Sequence, residues 1–310
     1  MAIKANLRAR KRKRRILWVS VLALVVAMLV IVYFVAAMGS NPYQKYIGQP
    51  VPASLLQQIT GVSDTTLSAV GAPSGVTPPA GVSGTPLMSG GKPEVLYVGG
   101  DFCPYCAIER WALIVALSHF GTFQGLEYMM SSSTDINPDT PTFTFSNVTY
   151  ASSYIAFVPV EEFGRQGQTQ VIQTLTSEQQ SLVSQYDTCA ATGQSGGIPF
   201  VDIANQYAVS CGAQFTLPNT PGSGAPNIVG MNWTQIASQL DNPSSGIAQR
   251  IDGAANTLIS AICKVTGDSP SAVCTQSYAN QTVAYLTHPS PTTRSLLALP
   301  SRGTDLLWTD

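Results

Sequence analysis

The sequence is poor in charge and in histidine, and both shortages narrow the range of functions. Only 11% of its 310 residues are Asp, Glu, Lys or Arg, against about 25% in a typical soluble domain. The two histidines, His119 and His288, stand alone, and a second Cys-x-x-Cys pair is absent. A four-ligand zinc site is therefore not expected. No Gly-x-Ser-x-Gly motif stands beside a usable histidine, which argues against a serine hydrolase.

Charge is also unevenly distributed along the chain. Residues 1–15 hold eight of the 16 basic residues and no acidic one, and residues 16–38 then carry no charge at all. A helix needs about 20 apolar residues to cross a bilayer, and flanking Lys and Arg stay on the cytoplasmic side. We predict a single-pass anchor in the cell membrane, with a cytoplasmic N-terminus and an extracytoplasmic C-terminal domain. The basic run is then a topology signal rather than a nucleic-acid site, and the lipid bilayer is the partner of residues 16–38.

A cleaved signal peptide is the alternative for the same segment, because "VAAM" offers small residues at its end. The apolar stretch is longer than the ~7–15 residues of a signal-peptide core, which favours the anchor.

Beyond the anchor, the pattern predicts an α/β domain between two irregular regions. Residues 39–93 are rich in Pro and Gly and predict a stalk with short helices. Residues 94–288 alternate strand and helix patterns and form the predicted main domain. Residues 289–310 hold three prolines and predict a loose tail.

The segment "GGDFCPYCAIERW" carries the strongest chemical signal. The apolar run 94–100 predicts a strand, and the apolar spacing after Cys106 predicts a helix. Cys103 then lies at the helix N-terminus, where unpaired N–H groups and the helix dipole lower a thiol pKa. Pro104 suits the first helical turn, where its missing N–H costs nothing. The spacing favours a redox pair, which needs a reactive thiolate and a second thiol one turn away.

Two other interpretations of the cysteine pair are weaker. Zinc would need further ligands that the sequence does not supply. An inert disulfide between residues three apart would close almost no loop and stabilise little.

The segment "GGIPF" follows about ninety residues later, and its Ile198-Pro199 bond opens a predicted strand, with a hairpin ending near Cys211. Proline is tolerated at the start of a strand, and cis bonds are essentially confined to proline. By itself Pro199 is one of 21 prolines and a weak signal.

In this order, "VLYVGGDFCPYCAIERW" and "GGIPFVDI" resemble the thioredoxin superfamily. The arrangement is also similar to an uncharacterised, mostly membrane-anchored prokaryotic family, domain of unknown function family 929. The resemblance implies a thioredoxin-like central mixed sheet flanked by helices. The separation of the two segments implies an insertion at about 131–195, between the Cys-x-x-Cys helix and the cis-Pro strand.

The resemblance also implies roles for six residues. Cys103 attacks a disulfide, and Cys106 resolves the mixed disulfide. Pro104 and Tyr105 tune the pair, Ile198 offers backbone groups to an extended peptide, and Pro199 shapes the groove. We expect the Cys103 sulfur to be exposed and to face Pro199.

The sequence departs from the superfamily pattern in two places. Phe102 stands where a tryptophan precedes the first cysteine, and Tyr97 stands where a buried acid accepts the proton of the second. Asp101 or Glu109 could take over that task, but both are expected to be solvated surface acids.

Four cysteines remain, and an exported domain permits disulfides. Cys263 and Cys274 span a helix end and a turn, and Cys189 and Cys211 flank the Pro199 segment, so we predict these two bridges. The alternative is that one of these pairs is a second redox centre that relays electrons to Cys103 and Cys106.

The sequence thus predicts a membrane-tethered thiol–disulfide oxidoreductase, an oxidase or isomerase, that needs no cofactor. Its expected partners are thiols and disulfides of exported proteins and a membrane redox partner. A non-catalytic module that binds peptides beside Pro199 is the alternative.

Overall fold

The computed structural model describes residues 2–39, 41–188, 196–216 and 228–287. The chain forms two compact units, of which the first ends at Lys45 and the second begins at Tyr46. The first unit is the helix α1 (Ala2–Gly39). Its stretch Lys13–Tyr33 has a mean hydropathy of 2.9 and, among the described helices, is the one long and apolar enough to cross a membrane. This finding is compatible with the predicted single-pass anchor.

A short 3-10 turn, Gln44–Tyr46, stands at the boundary of the two units. The second unit contains both helices and strands. The helices are α2 (Ala53–Thr60), α3 (Asp64–Val70), α4 (Pro104–Ser118), α5 (Ser177–Tyr186), α6 (Trp233–Leu240), α7 (Gly246–Val265), α8 (Ser271–Cys274) and α9 (Ser277–Thr287). The strands are β1 (Ala80–Gly81), β2 (Met88–Ser89), β3 (Lys92–Gly100), β4 (Gly121–Gln124), β5 (Glu127–Met130), β6 (Pro141–Thr144), β7 (Thr149–Ser152), β8 (Ala156–Phe163), β9 (Phe200–Ile203) and β10 (Tyr207–Val209).

The main sheet is mixed and is built around β3. Strand β8 runs parallel to β3 along nearly its whole length, and β9 pairs with β3 antiparallel. On the far side of β9 follow β10 and β1, and β2 pairs with the start of β3. Two separate antiparallel pairs, β4–β7 and β5–β6, complete the strands. The predicted α/β class with a mixed sheet and helices is therefore confirmed.

The segment predicted as an insertion contributes to the main sheet. Strand β8 lies within residues 131–195, yet it is the parallel neighbour of β3. Its interior Pro159 fits because β8 pairs with the sheet on one side only among the described strands, so a missing N–H on the open side breaks no ladder bond. Its strand pattern can be recognised in the sequence, but its place beside β3 cannot, because the two strands lie far apart in the chain.

Two apolar layers hold the sheet in place. On one face, Leu96 and Val98 of β3 pack with Val160, Phe200 and Leu182. On the other side α4 packs against α7, and 13 of its 15 residues are buried. A helix that is apolar all round is expected at the centre of a domain rather than on its surface. The helix that follows Cys103 is therefore the central helix of the second unit.

The predicted stalk includes the two short helices α2 and α3, which belong to the second unit. Ile59 of α2 and Leu67 of α3 are fully buried, and α3 packs against α7 and α9. Ser63 caps α3 by accepting the N–H of Thr66 at 3.2 Å. The predicted tail, 289–310, lies outside the described residues.

Candidate functional site

Cys103 caps the N-terminus of α4. Strand β3 ends at Gly100, and Cys103 takes an extended conformation (φ −79°, ψ 123°) just before Pro104, the first helical residue. The backbone N–H of Cys106 donates to the Cys103 sulfur at 3.3 Å. The sulfur thus stands where a capping side chain accepts one of the helix's unpaired N–H groups. The predicted position of Cys103 at a helix start is confirmed.

Ile198 and Pro199 lie against the same sulfur. The distance from the Cys103 Sγ to the carbonyl oxygen of Ile198 is 3.6 Å, and the Ile198-Pro199 peptide bond is cis. The antiparallel register pairs Val98 with Phe200, so the C-terminal end of β3 meets the N-terminal end of β9. The sheet therefore brings together two segments that are ninety-five residues apart.

The expectation that the Cys103 sulfur is exposed is wrong. Cys103 is only 5% exposed and Cys106 is fully buried. A Cβ atom added to Gly100 would lie 3.0 Å from the Phe102 ring and 3.4 Å from the Ile198 side chain, so these two groups close around the backbone just before Cys103. Tyr105 is the half-exposed residue of the motif. A reacting molecule has only a narrow approach to the pair.

The two thiols differ in acidity because of their positions. Burial works to raise the pKa of Cys103, but the Cys106 thiol, the Cys106 backbone N–H and the charge of Arg110 outweigh it, and the net shift is downward. Burial and the neighbouring Cys103 raise the pKa of Cys106 well above its ordinary value. A lowered pKa at Cys103 suits a nucleophile, and a raised pKa at Cys106 suits a resolving thiol that stays protonated until it is needed.

A buried ion pair lies behind the cysteines, and sequence interpretation missed it. Arg110, one helical turn after Cys106, donates from Nε and Nη2 to the two Glu161 oxygens at 2.8 and 2.6 Å. Both side chains are fully buried, and the guanidinium carbon lies 5.7 Å from the centre of the Tyr97 ring. Arg110 in a helix of apolar residues was a possible signal, but nothing near Glu161 in the chain pointed to its partner.

Asp101 and Glu109 are not surface acids, contrary to expectation. Asp101 is 4% exposed and Glu109 is fully buried. Burial, with the charge of Glu161, raises the pKa of Asp101 to about 7. Burial raises the pKa of Glu109 to about 7 as well, although Glu109 accepts the N–H of Gln214 at 3.0 Å. Each is a candidate proton-exchanging group near the cysteines.

Three of the four remaining cysteines, Cys211, Cys263 and Cys274, are disulfide-bonded. A bond joins Cys263 to Cys274, as predicted. Cys211 is disulfide-bonded, and its predicted partner Cys189 lies outside the described residues. Cys103 and Cys106 are free thiols.

The described part of the chain contains no cluster of three or more His, Cys, Asp or Glu side chains arranged to hold a metal ion. His119 follows α4, where its ring centre lies 5.7 Å from that of Tyr278. Burial lowers the pKa of His119, as expected of a packed imidazole.

One comparison with known proteins gives a match. The family model described as Domain of unknown function (DUF929) matches residues 78–264, which is more than half of the chain and includes both the cysteine motif and Pro199. A search of curated proteins and a search of solved structures each found no match.

Proposed function

The chain belongs to the DUF929 family, a domain of unknown function, and we propose that this member is a membrane-anchored, extracytoplasmic thiol–disulfide oxidoreductase with Cys103 and Cys106 as its redox pair. The observation that carries the proposal is the position of the Cys103 sulfur. It accepts the Cys106 N–H at the start of α4 and lies 3.6 Å from the Ile198 oxygen. The N–H contact stabilises the thiolate, and the Ile198 oxygen orients the thiol, which donates to it.

The chemistry follows from the unequal acidity of the two thiols. The Cys103 thiolate attacks a disulfide of a substrate protein, so that a Cys103–substrate bond forms and one substrate thiolate leaves and takes up a proton. Cys106 then loses its proton and attacks the Cys103 sulfur, which forms the Cys103–Cys106 disulfide and releases the second substrate thiol. Two electrons pass from the pair to the substrate. In the reverse direction the pair oxidises a substrate dithiol and needs a disulfide-bearing partner to restore it.

A thioredoxin-like fold is part of the proposal. Three features support it: β3 leads directly into the cysteine helix, β9 opens with the cis Ile198-Pro199 bond, and β9 pairs with β3. An extended substrate segment would then bind beside Ile198, whose backbone follows the edge of the site.

The membrane location is also proposed. The candidate span Lys13–Tyr33 in α1 and the basic residues before it support an anchor with the second unit outside the cytoplasm. An extracytoplasmic compartment agrees with the Cys263–Cys274 bond, because structural disulfides persist where the surroundings are oxidising. Such a compartment favours an oxidase or isomerase over a reductase.

The alternative is a non-catalytic module that binds peptides beside Pro199, and one observation favours it. Cys103 is only 5% exposed, and a substrate disulfide must reach this sulfur in line with the bond that it breaks. A peptide-binding module requires the groove beside Pro199 but does not require access to the Cys103 sulfur.

A trapping experiment separates the two functions. The full chain with Cys106→Ser is incubated with the exported proteins of its own host, and mixed disulfides at Cys103 are identified by mass spectrometry. The oxidoreductase predicts stable adducts that a reductant releases and that are absent in Cys103→Ser. If Cys106→Ser forms no adduct while peptides still bind, the protein is the binding module.

A further inference from the structure

Asp101 stands between the end of β3 and the reactive Cys103. Its backbone N–H donates to the carbonyl oxygen of Phe163 at 2.8 Å, which fixes this turn to the end of β8. The side chain is almost fully buried, at 4% exposed. A carboxyl group held in such a place is costly in its charged form unless a cation or hydrogen-bond donors compensate it.

Asp101 shares its compensating cation with Glu161. Nη2 of Arg110 lies 2.6 Å from a Glu161 oxygen and 3.5 Å from Oδ1 of Asp101. Glu161 also accepts the backbone N–H of Phe145 at 3.2 Å. The Asp101 carboxyl group has a hydrogen bond with the Thr144 side chain, which favours its charged form, but its Oδ1 has no hydrogen-bond partner among the described residues. With both carboxylates charged, the cluster carries a net negative charge. Asp101 is therefore the member that takes up a proton most readily.

Asp101 also has a route to water. It forms part of the wall of a cavity of about 610 Å³ whose other walls include Glu127, Thr144, Gln170 and Arg165. A polar cavity of this size holds water molecules that can exchange protons with a carboxyl group. The cavity thus connects the edge of the buried cluster to solvent.

The charged groups that face Asp101 come from four elements. Glu161 of β8 and Glu127 of β5 favour its protonated form, and Arg110 of α4 favours its charged form. Arg165 lines the cavity, but it is paired with Asp139 and donates from Nε to the Met130 carbonyl at 3.1 Å. Burial adds to the two acids and raises the pKa of Asp101 to about 7. Near neutral pH the Asp101 carboxyl group is therefore divided between its protonated and its charged form.

Arg110 is the link from this group to the cysteines. It lies on the same helix, one turn beyond Cys106, and its positive charge favours the thiolate forms of Cys103 and Cys106. A negative charge on Asp101 partly cancels that effect, since like charges disfavour one another at short range in a buried site.

We propose that Asp101 is a positioning residue that couples the thiol pair to the cavity: its carboxyl group exchanges a proton with cavity water, and the resulting change of charge acts through Arg110 on the ionisation of Cys103 and Cys106. Asp101 without a proton disfavours the thiolate forms of the pair, and protonated Asp101 favours them. The proposal rests on the proposed redox function of the pair and adds to it a means by which the pH of the compartment sets its reactivity.

The test is a pH titration of the reduced full chain in detergent micelles, in which ultraviolet absorbance measures the thiolate. Asp101→Asn removes the charge but keeps the shape of the side chain. We expect its Cys103 titration to move to lower pH, by on the order of one pH unit for one buried unit charge. Glu127→Gln is the matched control, since it removes a carboxylate from the same cavity that does not contact Arg110, and it should move the titration far less. Coinciding curves for Asp101→Asn and the unchanged protein would overturn the proposal, as would an equal shift in Glu127→Gln.

A second measurement does not depend on the Asp101 variant folding. It uses Glu109→Gln, which lacks the other buried carboxyl group with a pKa of about 7. Infrared spectra of its dithiol form, recorded across neutral pH, should contain a buried carboxyl band that titrates near pH 7 together with the thiolate signal. If no carboxyl signal titrates with the thiols, the coupling is absent. Neither measurement needs substrate, so failure of the trapping experiment together with a shifted titration would reject the oxidoreductase and leave the Asp101 coupling standing.

Discussion

The sulfur of Cys103 lies 3.6 Å from the carbonyl oxygen of Ile198, although ninety-five residues separate them in the chain. The antiparallel pairing of β3 with β9 produces this contact, because it places the end of one strand beside the start of the other. The contact joins the two segments that carried the chemical signal in the sequence.

We expect a small alkylating reagent to modify Cys103 before Cys106 near neutral pH. The pKa of Cys103 is lowered and that of Cys106 is raised, and only the thiolate reacts. Mass spectrometry of peptides taken at successive times gives the two rates. A bulkier reagent should react more slowly, because Cys103 is only 5% exposed. Equal rates at the two cysteines in the folded protein would contradict the assignment, and unfolded protein serves as the control.

The location of Cys103 and Cys106 could be predicted from the sequence because the signals are local. Pro104 marks the first helical turn, and the residues around it have an apolar pattern that strand and helix rules recognise. Pro199 could be assigned to a strand start for the same reason.

The buried charges behind the pair could not be predicted in this way. Asp101 and Glu109 are polar residues next to a turn or in a helix, and local rules expect such residues to face water. Their burial depends on partners far along the chain, Glu161 beside one and Gln214 beside the other. The exposure of Cys103 was misjudged for a similar reason, since the packing of Phe102 and Ile198 is a tertiary feature.

Loss of the Arg110 charge should destabilise the fold strongly. Arg110→Met leaves Glu161 as an unpaired buried carboxylate, which typically costs about 3–5 kcal/mol. Denaturant unfolding of the full chain in micelles measures the change. Lys264→Met is the matched control, because its partner Asp268 at 3.3 Å is largely exposed, and such pairs contribute about 0–1 kcal/mol. If Arg110→Met costs no more than Lys264→Met, the ion pair does not hold the site together.

Glu109 should make the folded state less stable as the pH rises. Its pKa is about 7 in the folded state, against an ordinary value of 4.5, so the folded protein keeps a proton that the unfolded chain has released. Stability is therefore lost between about pH 4.5 and pH 7 as the pH rises, by up to about 3 kcal/mol. Glu109→Gln keeps an oxygen for the Gln214 N–H and removes the titration. Its stability relative to the unchanged protein should increase from pH 5 to pH 8.

The control for this pH dependence is Asp241, a carboxyl group whose pKa is shifted in the opposite direction. Hydrogen bonds from Thr66 and Ser63 lower the pKa of Asp241, so its contribution is present at neutral pH and is lost as the pH falls through the lowered value. Asp241→Asn should therefore be destabilising at pH 7 and nearly neutral in strong acid. A Glu109→Gln profile that ran parallel to that of the unchanged protein would contradict the buried, protonated Glu109.

Removal of the Cys263–Cys274 bond should lower stability without changing thiol exchange. The bond closes a loop between residues eleven apart, which corresponds to about 3 kcal/mol in the loop-entropy model. Thermal unfolding of the double variant Cys263→Ser/Cys274→Ser measures this contribution of the bond to stability. Unchanged formation of Cys103 adducts in the Cys106→Ser background would support a structural bridge. Loss of turnover with an external oxidant, with adduct formation intact, would instead identify the bridge as an electron relay.

The most direct test of the central claim is the redox equilibrium of Cys103 and Cys106 in glutathione buffers, quantified by mass after alkylation. A redox pair predicts that both thiols disappear together in one reversible two-electron transition, and that this transition is absent in Cys103→Ser and in Cys106→Ser. Two thiols that stay reduced in the most oxidising buffer, or that disappear at separate midpoints, would contradict it.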